Sequence, residues 1–236
     1  MLFRSGNRAF ADCVNITGIT LSEGIEAIGE AAFGANQLLK SLVIPDSVTS
    51  MGRNAFSYLG SLESVTIPYL DNTFTAYFSG LNSNNSLKQI TVTGDIISNN
   101  GYPINEIFAN LTAVEEVKIL GSCETLGERA FKGCTSLKSV TLPKDLKQIS
   151  NEAFFGCTAL EGIHIPKGVT TVGGFVFFNC INLKTIFLPS SVTVISDGGI
   201  MGHIDLVIRT DAASADDLPE QWAKVVGIPK VYGVES

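Results

Sequence analysis

Basic charge is scarce in this chain. Its 236 residues carry 16 Lys and Arg against 23 Asp and Glu, for a formal net charge of -7. Nucleic acid calls for a basic stripe and anionic lipid for polybasic clusters, so neither is an expected partner. Long apolar runs are also missing. None approaches the roughly 18 residues of a membrane-crossing helix, so no membrane insertion is expected in this segment. The opening Met1-Leu2-Phe3-Arg4 has no stretch resembling the apolar core of a secretory signal. There are two His and one Trp. Cys-x-x-Cys pairs, phosphate loops, nucleophile elbows, paired-carboxylate sites and dinucleotide fingerprints are absent, as are most helix-period stretches. The expectation is a non-enzyme with no cofactor and no metal. A composition of 45% hydrophobic and 17% charged residues is nonetheless that of a folded chain.

What is present is a repeat. Phe10, Phe33 and Phe56 lie 23 residues apart, as do Phe108, Phe131, Phe154 and Phe177, and Ile200 takes the next place. The unit is plainest in AFKGCTSLKSVTLPKDLKQISNE, from Ala130 to Glu152, and in the segment that follows from Ala153. With Phe as position 0, position 3 holds Cys13, Leu59, Leu111, Cys134, Cys157 and Cys180. Positions 9 and 11 hold apolar pairs such as Val65/Ile67, Val140/Leu142, Ile163/Ile165 and Ile186/Leu188. Positions 15 and 18 are again apolar, as in Val169/Val172, and Pro follows the first pair at Pro45, Pro68, Pro143, Pro166 and Pro189.

The pair at 9 and 11, split by an outward residue, has the period of a strand. Three or four residues of strand bury nothing alone. Stacked on the next repeat, each finds a neighbour ~4.8 Å away and the apolar positions become interior columns. Pro ends each strand because it has no N–H to give the ladder. The Gly-, Asn- and Glu-rich stretch before each Phe reads as a turn or short helical turn. Residues 1–236 are expected to form one solenoid domain, with about nine repeats over 9–209, an irregular coil at 70–105 and a cap at 210–236. Within the cap, Leu218, Trp222 and Val225/Val226 suggest a short helix over Ala212–Val226, with Trp222 as its plug.

The Ala-Phe-x-x-Cys-x-x-Leu stretches at Ala130–Leu137 and Ala153–Leu160, with endings at Val140–Pro143 and Ile163–Pro166, resemble the BspA-like leucine-rich repeat family. The resemblance covers Ala9 to Ile208. It implies a right-handed horseshoe (α/β class by family) with its main sheet on the concave face. It also implies a surface or secreted protein, some of whose relatives bind host proteins or mediate adhesion.

Within that frame the cysteines at position 3 read as a ladder of buried thiols, with a disulfide or metal site as the alternative. Lys40, Glu63, Lys88, Glu115, Lys138, Glu161 and Lys184 form a column of alternating sign that disfavours slippage by one coil. His203 carries no clear signal. Three triplets, beginning at Asn15, Asn84 and Asn110, match the glycosylation pattern. The outward column of the main strands gives Thr66, Thr91, Lys118, Thr141, His164 and Phe187 as the expected binding surface, with Phe187 and His164 as a contact anchor. The expected function is adhesion of a cell-surface or secreted protein to a host or matrix protein or glycan, any signal or anchor lying outside this chain. A rigid spacer within a larger surface protein is the alternative.

Overall fold

The computed structural model describes residues 3–71, 73–78, 84–97, 103–200, 205–220, 222 and 228–234. His203 and residues 98–102 lie outside them. Three parallel ladders run along a β-solenoid, and each follows from a different part of the repeat.

The main ladder uses positions 8 to 11. Its five-stranded part is β3 (Ser41–Val43), β5 (Ser64–Ile67), β6 (Gln89–Val92), β7 (Glu116–Ile119) and β9 (Ser139–Thr141). A four-stranded part follows in β11 (Gly162–His164), β13 (Thr185–Phe187), β15 (Val207–Arg209) and β16 (Lys230–Val231). The second ladder uses position 18 and the residue before it. It comprises β8 (Thr125–Leu126), β10 (Gln148–Ile149), β12 (Thr171–Val172) and β14 (Val194–Ile195). At the start, β1 (Phe3–Arg4), β2 (Ile25–Ile28) and β4 (Ser50–Met51) form the equivalent sheet.

The third ladder surrounds each Phe. The N–H groups of Arg129, Phe131 and Gly133 donate to the carbonyls of Asn151, Ala153 and Phe155 on the next coil, at 3.0, 2.7 and 2.9 Å. The intervening Ala130 and Lys132 bond back within their own coil, to Gly127 and Arg129. This alternation coincides with left-handed backbone two residues before and two after Phe131, Phe154 and Phe177, at Arg129 (φ 58), Gly133 (φ 74), Glu152 (φ 55), Gly156 (φ 74), Phe175 (φ 54) and Asn179 (φ 60). Of the two readings of this stretch, a turn or a short helical turn, the structure has the turn, built into a hydrogen-bonded ladder. Coils also touch through backbone, since a Cβ at Gly127 would collide with the Ile104 carbonyl.

The Phe residues form files, interior except at exposed Phe10. Rings stack from Phe10 through Phe33 and Phe56 to Phe78, and from Phe108 through Phe131 and Phe154 to Phe177, with centroids 4.9 to 5.6 Å apart. Each such pair contributes about 0.5–1.5 kcal/mol beyond its buried area. The cysteines of position 3 are free; Cys134, Cys157 and Cys180 are buried and Cys13 is half-buried. The slot is more than apolar. The thiols of Cys134, Cys157 and Cys180 donate to the carbonyls of Phe108, Phe131 and Phe154 on the preceding coil, at 3.0, 3.2 and 3.0 Å. Burial pushes the Cys134 thiol up to about 12, and a hydrogen bond with Cys180, then burial, pushes Cys157 up as well. Asn36 fills the same slot and donates to Phe10 at 3.0 Å and to Phe33 at 2.7 Å. Its Oδ1 is buried without a partner.

Two ends depart from expectation. The first coil, with Ile19 and Thr20, adds no strand to the main sheet. The expected helix over Ala212–Val226 is, in its described part, a 3-10 turn at Ala215–Asp217 that stops at Leu218 (φ -82, ψ 140), with 3-10 residues again at Glu220 and Trp222. Pro219 is the cause, because it forces the preceding residue extended and has no N–H. Residues 221 and 223–227 lie outside the description. Trp222 is buried, and its indole N–H donates to the Val192 carbonyl at 2.8 Å. A single helical turn, α1 (Phe74–Tyr77), occupies the irregular coil.

On the turn face Glu152 accepts from Arg129 Nε at 3.1 Å and from Lys132 Nζ at 2.7 Å. These hydrogen bonds hold its carboxyl at about 2, below its ordinary 4.5. A depressed carboxyl stabilises the fold above the unfolded value and ceases to as pH falls through the folded one. The stability difference between the native chain and Glu152→Gln is therefore expected to persist above pH 4.5 and fade towards pH 2, measured by urea midpoints across pH. Gly156→Ala is expected to lose about 1–2 kcal/mol through φ alone, since nothing lies within 3.8 Å of the added Cβ and the nearest atom is at 3.9 Å. Asn36→Cys keeps the donor to Phe10, gives up the bond to Phe33 and removes a buried orphan acceptor. Its urea midpoint should rise, by about 1 kcal/mol of stability, and a fall would contradict this account of the slot.

Candidate functional site: the outward face of the main sheet

Alternation along each main strand sends positions 9 and 11 inward and positions 8 and 10 outward. Parallel pairing without slippage then turns the outward positions into rows. Thr66 pairs with Thr91, Thr91 with Lys118, and Lys118 with Thr141. Ser64, Gln89, Glu116 and Ser139 form the companion row in the same register. Thr141 is exposed, whereas Thr66, Thr91 and Lys118 are half-buried by their neighbours. Lys118 Nζ lies 3.1 Å from Glu116 Oε1, so the cation of this row is answered within its own strand. The outcome is a flat array of hydroxyl and amide groups with little net charge.

The expected column does not continue unbroken. His164 pairs with Phe187 and Phe187 with Arg209, but β9 and β11 are not paired. The structure thus groups Thr66, Thr91, Lys118 and Thr141 in one run, and His164 and Phe187 in another. Phe187 corrects the sequence expectation of an exposed anchor, because it is only 6% exposed. The His164 ring lies parallel to it, with centroids 4.3 Å apart and planes 3° apart. Phe187 is a packing residue, and His164 is the exposed member of the pair. Burial lowers the His164 pKa and nearby Lys167 lowers it further, so the imidazole is neutral at neutral pH.

Arg209 extends the second run and escaped the sequence reading. It follows Phe187 by 22 residues instead of 23, in a coil where Ile200 replaces Phe. The alternating charge column closes Lys40–Glu63 at 3.0 Å, Lys88–Glu115 at 3.5 Å and Lys138–Glu115 at 2.6 Å. Lys138 lowers the Glu115 pKa, chiefly by hydrogen bonding. Such exposed pairs contribute ~0–1 kcal/mol each and set register more than stability.

Other surfaces differ in character. Beside the irregular coil a cavity of about 380 Å³ is lined by Asp95, Ser122, Cys123, Glu124 and Asp145, among others. Two of its carboxylates are already engaged: Asp95 accepts from the Ser122 N–H at 2.8 Å and Asp145 from the Cys123 N–H at 3.2 Å. Burial pushes the Cys123 thiol up to about 11, which keeps it protonated and a poor nucleophile. Among the described residues no three His, Cys, Asp or Glu converge as a metal set. At the first coil an apolar cavity of about 430 Å³ is lined by Phe10, Ile16, Ile19, Leu21 and Ile25 with Phe33. On the turn face Phe178 stacks on Phe155 at 5.2 Å, and Lys132 Nζ sits 4.8 Å over the Phe155 ring. Of the three glycosylation-like triplets, that at Asn84 is structural, since its buried amide donates to the Leu59 and Leu62 carbonyls. No described helix is long and apolar enough to cross a membrane.

No curated protein matches the chain. Among solved structures it is similar to a leucine-rich repeat protein from Bacteroides ovatus, with 21% identity and a TM-score of 0.48, over 99% of this chain and 76% of that one. It is similar also to a leucine rich repeat protein from T. pallidum, with 26% identity and a TM-score of 0.45, over 65% of this chain and 61% of that one. A leucine rich cell surface protein from Faecalibacterium prausnitzii shares 21% identity with a TM-score of 0.42, over 99% of this chain and 61% of that one. The chain thus spans from 61% to 76% of the lengths of these solved chains. A model of the BspA type leucine rich repeat region (6 copies) matches residues 4–104 and 104–206. With the match running through nearly every coil, the chain belongs to the BspA type leucine-rich repeat family.

Proposed function

We propose that the chain is a non-enzymatic recognition module of a cell-surface or secreted protein, binding a protein or glycan partner along the outward face of the main sheet. One observation carries the reading: Thr66, Thr91, Lys118 and Thr141 stand in strict register across four strands, beside Ser64, Gln89, Glu116 and Ser139. A strand spacing of ~4.8 Å sets hydroxyl, amide and paired charged groups at regular intervals along the face, which suits an extended ligand with repeating polar groups. The self-answered Lys118–Glu116 pair keeps the face near neutrality, so long-range steering has little part in it. His164 adds a neutral imidazole with donor and acceptor nitrogens at the far end of the face. Family membership supports the surface or secreted location.

A rigid spacer within a larger surface protein is the second reading. It is favoured by the second ladder and the turn ladder, which interlock successive coils by backbone hydrogen bonds.

A glycan and extracellular-matrix array probed with the purified chain tests the first reading against the second. Binding is expected, and Thr91→Lys or His164→Ala should weaken it about tenfold, ~1.4 kcal/mol. Silence across the array at high protein concentration, or binding indifferent to both substitutions, would favour the spacer.

A further inference from the structure

The main sheet is interrupted once between neighbouring coils of the described repeats, at the seam between β9 and β11. Elsewhere the rungs recur at fixed positions. The N–H of Lys184 donates to Glu161 at 2.9 Å and that of Lys138 to Glu115 at 2.8 Å, but Glu161 makes no such bond to Lys138. The N–H of Ile165 donates to Phe187 at 3.0 Å and that of Ile44 to Thr66 at 3.0 Å, but Leu142 makes no such bond to His164.

Core packing loosens at the same place. Inward residues of the neighbouring strands are almost fully buried: Val117 1%, Ile119 1%, Ile186 0% and Leu188 0% exposed. At the seam Leu142 and Ile163 rise to 7% and 6%, and Val140 is only partly buried. The other two ladders pass through the seam intact. Gln148 pairs with Thr171 in the second sheet, and Phe131 donates to Ala153 at 2.7 Å in the turn ladder. One edge of the coil stack is therefore unzipped while two hold.

We propose that this seam is a flex point, at which the main sheet opens and closes about the two intact ladders. It divides the face into an arm bearing Thr66, Thr91, Lys118 and Thr141 and an arm bearing His164 and Arg209. Bending resistance in a solenoid comes from nearest-neighbour contacts alone, so the coil junction with the fewest rungs takes up most of the bend. This inference holds whether or not the face binds a ligand, and it limits the spacer reading, since a flexing junction is a poor rigid rod.

Two measurements on the full chain test it. In amide exchange followed by NMR, Leu142 and Glu161 are expected to exchange at least about tenfold faster than Ile165 and Lys184, their equivalents one coil on. Exchange within about threefold would overturn the proposal, since closed rungs protect equally. The second measurement uses spin labels in a Cys13→Ser background, the remaining cysteines being buried. Labels at Val43→Cys and Thr141→Cys span four strand steps within one arm. Labels at Lys118→Cys and Arg209→Cys span four steps across the seam. The seam pair is expected to give the broader distance distribution. Equal widths would overturn the proposal even with fast exchange, because they would describe a static slot.

Discussion

Each coil of this protein has a backbone edge and an apolar flank that only the next coil can satisfy. A three-residue strand such as Ser139–Thr141 or Gly162–His164 has no stability of its own, and neither has a two-residue strand such as Gln148–Ile149. Stacking converts these fragments into ladders, so the cost of ordering one coil is offset by rungs and contacts shared with its neighbours. The Phe rings, the thiol-to-carbonyl bonds and the left-handed turns are devices that fix the distance and rotation from one coil to the next. A change in any of them is felt by two coils at most.

That locality explains which parts of the architecture were legible in the sequence. The Phe file, the apolar pairs of β5 and β13 and the alternating charges repeat at 23 residues over most of the chain, so periodicity exposed them. The second ladder was fainter because two residues, such as Thr171 and Val172, give no alternation to count. The turn ladder was hidden, since left-handed backbone falls on Arg129, Glu152 and Phe175 as readily as on Gly, and side-chain identity does not announce it. Asn36 was the one visible sign of the hydrogen-bonding nature of the cysteine slot, while Leu59 and Leu111 advertised only its apolar side. At the C-terminus the Leu218-Pro219 dipeptide was the visible warning against a helix, and the spacing of Leu218 and Trp222 outweighed it.

The candidate site shows the same division. Register could place Thr66, Thr91, Lys118 and Thr141 on one face, because pairing of identical positions is what a repeat encodes. It could not reveal that Phe187 is covered, since that depends on a parallel His164 ring and on the last coils, where the spacing falls to 22 residues. Nor could it reveal the missing rungs beside Val140. The sequences flanking β9 and β11 are among the most regular in the chain, so the opening is a property of how coils fit and of no single residue type.

Segregation of roles by face follows from these facts. Inward positions are held by columns in which each side chain meets its own equivalent, as Phe131 meets Phe154. Outward positions 8 and 10 meet their equivalents as well, but at half burial and with water on one side, where a pair contributes only about 0.2–1 kcal/mol. Main-chain rungs fix the strand whatever those outward residues are. The face can therefore change its chemistry coil by coil, from Thr91 to Lys118 to Thr141 to His164, without disturbing the fold. The exception is the column's own end, where Phe187 has been taken into packing and Arg209 stands outside in its place. Outward chemistry and stability are separable along most of this surface, and they meet where the Phe187 ring is packed under His164.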